Sequence, residues 1–211
     1  MITSIPNLLT ISRVLAIPVI VALFYVEGRE WQWLACVVFS AAAITDYLDG
    51  YFARTLREQS AFGRFLDPVA DKLLVAAVIL MLVAFDRIHG LSVIPALIIL
   101  CREILVSGLR EFLAGLQVGL PVSRLAKWKT SIQMVAIGFL IVGDSGPAAI
   151  PVQFIGDVGL WTAAILTLVT GWDYLRASAR YVTPGAEPPP APTPAVPPPA
   201  AKPAVGSAGR R

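Results

Sequence analysis

Long apolar runs separated by short polar or glycine-containing breaks organise this chain. The first run, 8–26, is long enough to cross a bilayer, whose hydrocarbon core takes about 20 helical residues. That crossing requires Arg13 to snorkel to the near surface, and Pro18 is placed to kink it. A mixed-charge loop at 27–30 follows, and Trp31 and Trp33 then open a second helix as an interfacial aromatic pair. This helix runs through an alanine-rich stretch straight into Asp46. A third span covers 67–85, with Pro68 at a first helical position where its missing N–H costs nothing. A fourth starts near Leu91 and carries Arg102 and Glu103 inside an apolar helix. Neighbouring residues on a helix do not face each other, so each charge needs its own partner in the bundle interior. A polar, basic segment at 114–129, with Gly115, Gly119 and Pro121 as breakers, leads to a fifth span at 130–142. A sixth covers 159–175, with Trp161 and Trp172 near its ends. The pattern predicts an all-α, polytopic membrane bundle of about six transmembrane helices. From 184 onward proline and alanine replace the large apolar residues, which predicts a membrane domain at 1–183 and a disordered, partly polyproline tail at 184–211.

Composition strengthens the membrane reading. The chain is 56% hydrophobic and only 15% charged, against roughly 25% charge in soluble domains. A net charge of +3 does not make a polybasic surface suited to duplex nucleic acid, so no nucleic-acid partner is expected. Cys36 and Cys101 lie within apolar runs and form no C-x-x-C pair, and His89 has no ligand partners nearby, which argues against zinc. The N-terminus lacks a charged leader and a small-residue cleavage site, so the first apolar run is expected to stay in the membrane. Loop charge sets the orientation. Arg54, Arg57, Arg64, Arg110, Arg124, Lys127, Lys129, Arg176 and Arg180 fall on one side, and Arg29 and Arg87 on the other. The positive-inside rule then puts both termini in the cytoplasm.

The stretch 45–72 stands out in this oily chain. Asp46 and Asp49 are three apart, Asp67 and Asp71 four apart, and a basic, glycine-containing segment joins the two pairs. On a helix of about 3.6 residues per turn, each pair shares a face. Carboxylates at a membrane surface need compensation, and an all-oxygen cage favours magnesium, manganese or calcium. Two such ions are a usual device for displacement at phosphorus. Gly50 and Gly63 would let backbone approach a ligand closely, and Arg54 offers a forked phosphate contact. Solvated helix ends paired with Arg54, Arg57, Arg64 and Lys72 account for one acidic pair more readily than for two. A transporter lined by acidic groups is the other reading. It would place its charges near the bilayer midplane, whereas these cluster at one face.

The residues that recur are D-x-x-D-G-x-x-A-R, eight residues, G, three residues, D, three residues, D, here Asp46, Asp49, Gly50, Ala53, Arg54, Gly63, Asp67 and Asp71. This pattern resembles the CDP-alcohol phosphatidyltransferases without departure in type or spacing. The resemblance implies a six-helix membrane enzyme, usually a homodimer, that moves a phosphatidyl group from a CDP-linked lipid to an alcohol and releases CMP. It implies two Mg2+ or Mn2+ ions on Asp46, Asp49, Asp67 and Asp71, with Asp71 also the general base, and a cytidine diphosphate lined by Gly50, Ala53, Arg54 and Gly63. Further segments, IPNLLT with Arg13, FGRFLDPVADK, REILVSGLRE and AKWKTSIQM, look like a bacterial branch of the family that acts on CDP-diacylglycerol with glycerol 3-phosphate as acceptor. Ala126 stands where that branch leads one to expect glycine. Arg110, Lys127 and Lys129 are the candidates for the acceptor phosphate, with Asn7 and Thr10 as polar helpers. Each of the three cations also has a topological reading as a positive-inside charge. Sister acceptors within the family, such as phosphatidylglycerol, an inositol phosphate or serine, stay open at this point.

Overall fold

The computed structural model describes residues 5–56, 61–116 and 124–182; within its helices the side chains at 5–7, 46–56, 61–65, 124, 126, 127 and 180–182 lie outside that description. Arg57, the breakers Gly119 and Pro121, and the tail expected from 184 also fall outside it. The described residues form six α-helices: α1 (Ile5–Phe24), α2 (Arg29–Leu56), α3 (Ala61–Ala84), α4 (Val93–Gly115), α5 (Arg124–Val142) and α6 (Val152–Val182). Short 3-10 turns at Gly90–Ser92 and Gly143–Ser145 precede α4 and follow α5. At about 1.5 Å per residue even the shortest helix, α5, is about 28 Å long. The segments Gly90–Gly115 and Val152–Ala179 are long and apolar enough to cross a membrane, and Leu8–Phe24 is a shorter apolar helix.

One core cluster draws on every helix: Ile20 from α1, Phe39 from α2, Leu74 and Leu82 from α3, Ile99 from α4, Ile137 from α5 and Leu160 from α6. The opposite faces are also apolar, with Leu80, Leu97, Ile104, Val135, Ile165 and Leu168 exposed at mid-helix. A bundle that is apolar inside and outside is built for an apolar surrounding, because water would penalise so much contiguous exposed apolar area.

Several helix limits, and the placement of Arg13, differ from the sequence expectation. Pro68 lies inside α3 rather than at its start. The N–H it lacks would have bonded one carbonyl a turn earlier, and a helix of 24 residues packed along α1 carries that single loss. Arg13 does not snorkel; it is 1% exposed. Buried positions on α1 fall at Thr10, Arg13, Ile20 and Leu23, one helical stripe, so turning Arg13 outward would drag the core face with it. Residues 124–129 are helical, so α5 begins at the first of the basic residues, Arg124, rather than after them. Likewise α6 begins at Val152, taking in residues expected in the preceding loop.

Small residues decide how closely the last two helices approach. A Cβ built at Gly159 would come 2.8 Å from the Ala136 Cβ, and one at Gly156 would come 2.7 Å from Leu140. Without a hydrophobic drive between helices in lipid, this close backbone approach is what holds a pair together. The turns then gather at one end of the bundle. Arg29 donates to the carbonyls of Ser145 and Gly146, Gln153 Nε2 donates to the Arg87 carbonyl at 2.6 Å, and the Tyr25 ring meets Phe85 edge-on at 5.1 Å. The starts of α1, α3 and α5 and the ends of α2, α4 and α6 therefore share the other end.

The packing makes a contrast testable by thermal unfolding of the detergent-solubilised protein. Gly159→Leu should lower the midpoint, at an overpacking cost of about 1–3 kcal/mol. Gly108→Ala, where nothing lies within 4 Å, should leave it unchanged or raise it slightly, through a helix-propensity gain of at most about 1 kcal/mol.

Candidate active site

At the end away from those turns, α3 presents Asp67 and Asp71 one helical turn apart, both half-buried. Thr10, fully buried on α1, donates its hydroxyl to Asp67 Oδ1. A buried hydroxyl calls for an acceptor, and this bond also fixes the Asp67 carboxylate. The sequence marked Thr10 as a helper for the acceptor alcohol; the structure brings it to Asp67.

Asp71 leads into a chain of charges. Lys72 Nζ lies 3.1 Å from Asp71 Oδ2 and 3.1 Å from Glu103 Oε2 on α4. The other oxygen of Glu103, Oε1, accepts from Lys129 of α5, whose side chain is only 3% exposed. Arg102 approaches Glu103 Oε1 at 3.5 Å, the limit of a hydrogen bond, and donates from Nη2 to Thr170 Oγ1 of α6 at 3.1 Å. Its stem lies on Gly171, where a Cβ would come 3.1 Å from Arg102 Cγ. The adjacent charges 102 and 103 thus touch weakly, and their shorter contacts go to different helices. A crevice of about 60 Å³ opens among Asp71, Lys72, Glu103, Thr130, Gln133 and Met134.

The other sequence candidates are placed by backbone alone. Asp46, Asp49, Gly50, Ala53 and Arg54 all lie on the unbroken α2, Gly63 on the first turn of α3, Asn7 on the first turn of α1 and Lys127 on the first turn of α5. Their side chains lie outside the described residues. Arg110 is exposed and sits over the Tyr174 ring at 6.0 Å, a cation–π contact between α4 and α6. Lys129, expected at an acceptor phosphate, is buried against Glu103. Glu103 and Lys72 are the residues that sequence reasoning left without a role here. The signal was present, since an acid inside an apolar helix demands a cation, but the identity of that cation depends on packing.

The donor set suits a hard cation. Asp67 and Asp71 offer carboxylate oxygens from one face, with neither thiolate nor imidazole grouped with them among the described residues, which fits magnesium or manganese rather than zinc. Among the described residues no three acidic, histidine or cysteine side chains gather, as the side chains of Asp46 and Asp49 are outside them.

The family model described as CDP-alcohol phosphatidyltransferase matches residues 3–169. A Rickettsia felis protein named CDP-diacylglycerol--glycerol-3-phosphate 3-phosphatidyltransferase is 47% identical over 178 residues, covering 84% of this chain and 97% of that protein. Proteins of the same name from Cereibacter sphaeroides and Pseudomonas fluorescens are 37% identical over 214 residues and 44% identical over 181. These alignments cover 85% and 83% of this chain, and 97% and 90% of those proteins. The chain belongs to the CDP-alcohol phosphatidyltransferase family. Enzymes of this family generally depend on a divalent metal.

The Thr10 contact gives a direct check. Thr10→Val keeps the shape and removes the donor, and should cost about 1 kcal/mol, less than a fully buried bond to a charged group because Asp67 is half-buried. Thr10→Ser should cost a small part of that, with thermal midpoints in detergent as the readout.

Proposed function

We propose that this protein transfers the phosphatidyl group of CDP-diacylglycerol to glycerol 3-phosphate, giving phosphatidylglycerol phosphate and CMP. The observation that carries the reading is the pair Asp67 and Asp71, one turn apart beside a crevice bordered by Lys72 and Glu103. The family membership and the printed names of the relatives support the same substrates.

All six helices span the membrane in this reading, with both termini and the aspartates at the cytoplasmic face of the cell's inner membrane. Helix lengths, the apolar outer faces and the concentration of Arg and Lys at the aspartate end support it. Residues 1–183 form the membrane domain, 184–211 a disordered cytoplasmic tail, and two copies associate as a homodimer. The lipid's acyl chains stay among the helices. An apolar groove of about 450 Å³ between α2 and α5 fits them: Ile44 borders it near Asp46, and Met134 borders both it and the crevice.

Asp46, Asp49, Asp67 and Asp71 would hold two magnesium or manganese ions, which when bound supply positive charge against the diphosphate and the departing CMP. Thr10 keeps the Asp67 carboxylate oriented. Gly50, Ala53, Arg54 and Gly63 line the cytidine diphosphate. Arg110, Lys127 and Lys129 attract the acceptor's phosphate, with Asn7 as a polar helper. Asp71 takes the proton from the acceptor hydroxyl onto a carboxylate oxygen. The acceptor oxygen then bonds to the lipid-side phosphorus as that phosphorus releases the oxygen of CMP. Lys72, 3.1 Å from Asp71, holds the carboxylate in place for that proton.

The purified chain in detergent, given CDP-diacylglycerol, magnesium and a panel of alcohols, tests the reading through CMP release. CMP should appear with glycerol 3-phosphate, stop on chelation and return with magnesium or manganese. Asp71→Asn should lose nearly all turnover while keeping the thermal midpoint. Preference for serine, an inositol phosphate or phosphatidylglycerol would move the chain to a sister activity, and no CMP with any alcohol would overturn the enzymatic reading.

A further inference from the structure

Glu103 is 13% exposed on a helix that is apolar on either side of the Arg102–Glu103 pair, a place where a carboxylate needs counter-charges close by. Its two oxygens are divided between two helices: Oε2 faces Lys72 of α3 at 3.1 Å, and Oε1 accepts from Lys129 of α5. Arg102, the nearest cation in sequence, reaches Glu103 only at 3.5 Å and is drawn off to Thr170 and Gly171 on α6. Lys72 also contacts Asp71 at 3.1 Å, so Glu103 lies one ammonium away from the proposed base.

We propose that Glu103 is a positioning residue for the acceptor: its carboxylate, anchored on one oxygen by the buried Lys129, holds Lys72 on the other at the edge of the crevice, where the Lys72 ammonium docks the acceptor's phosphate. This rests on the reading of glycerol 3-phosphate as acceptor. The placement follows from charge and donor count. Two ammonium groups brought together from separate helices repel, and Lys129, 3% exposed, has almost no water to solvate it. One carboxylate between them removes both difficulties. An ammonium has three donors; Glu103 and Asp71 use two of those on Lys72, so Lys72 keeps one for a phosphate oxygen. Lys72 and Glu103 border the crevice directly. Glu103 itself, an anion, does not bind the phosphate; pinned by Lys129, it sets where the Lys72 ammonium stands.

A purely structural ion cluster would affect both substrates alike, so the test is a split of Michaelis constants. Glu103→Gln keeps size and removes charge. With it, KM for glycerol 3-phosphate should rise about tenfold, while KM for CDP-diacylglycerol stays within about twofold of wild type. Glu103→Asp keeps the charge, and with it the fold, but withdraws the carboxylate by one methylene; its rise should be in the same direction and smaller. An unchanged KM for glycerol 3-phosphate in the aspartate variant and, where it folds, the glutamine variant overturns the proposal, as does an equal rise for both substrates. Wild-type protein that consumes a different alcohol overturns the acceptor reading, and this proposal with it; wild-type protein that uses glycerol 3-phosphate with no split in the variants overturns this proposal alone.

Discussion

Charge in an apolar bundle has to be neutralised from within, and at one end of this protein Glu103 is where that is done. Lys72 and Lys129 meet on its carboxylate from α3 and α5, while Arg102 beside it anchors α4 to α6. Removing one partner of such a cluster would strand a buried charge, at a cost of several kcal/mol. The junction therefore constrains α3, α4 and α5 relative to one another. Asp71, through Lys72, sits at its edge. The placement of Asp71 and the integrity of the helix packing are in this way two consequences of one network.

The remainder of the bundle lets that network exist. Gly156 and Gly159 bring α6 against α5, and Gly171 gives the Arg102 stem a flat surface to lie on. At α1 the stripe that buries Ile20 and Leu23 continues through Arg13 to Thr10, so the helix that seals the core also delivers a hydroxyl to Asp67. Polar groups near the aspartates are thus fixed by the same helical phases that build the apolar core, not by loops.

What was legible in the sequence was whatever depends on local spacing. Six apolar runs gave six helices, and separations of three and four put each pair of aspartates about one turn apart on one helix, because helical geometry is set within a turn or two. Helix limits were less legible. Pro68 signals a start, yet the continuation of α3 back to Ala61 overrides one lost hydrogen bond. Basic residues at 124–129 look like a loop, yet they lie on α5. Least legible were the partners of buried charges. Lys129 and Glu103 are 26 residues apart, and nothing in either segment names the other. Arg13 was expected at the surface because charge alone suggests it, and only the phase of its own helix puts it inside. The acceptor candidates divide in the same way: Arg110 rests on Tyr174, whereas Lys129 is enclosed at Glu103.

In the proposed function, carboxylates from α2 and α3 would form one divalent-metal site at this end of the bundle. Manganese binding to the purified protein, followed by electron paramagnetic resonance with CDP-diacylglycerol present, tests it without relying on turnover. About two ions per chain are expected for the wild type, with fewer in Asp46→Asn, from α2, and in Asp71→Asn, from α3. No bound manganese, or a stoichiometry that neither substitution changes, would contradict it.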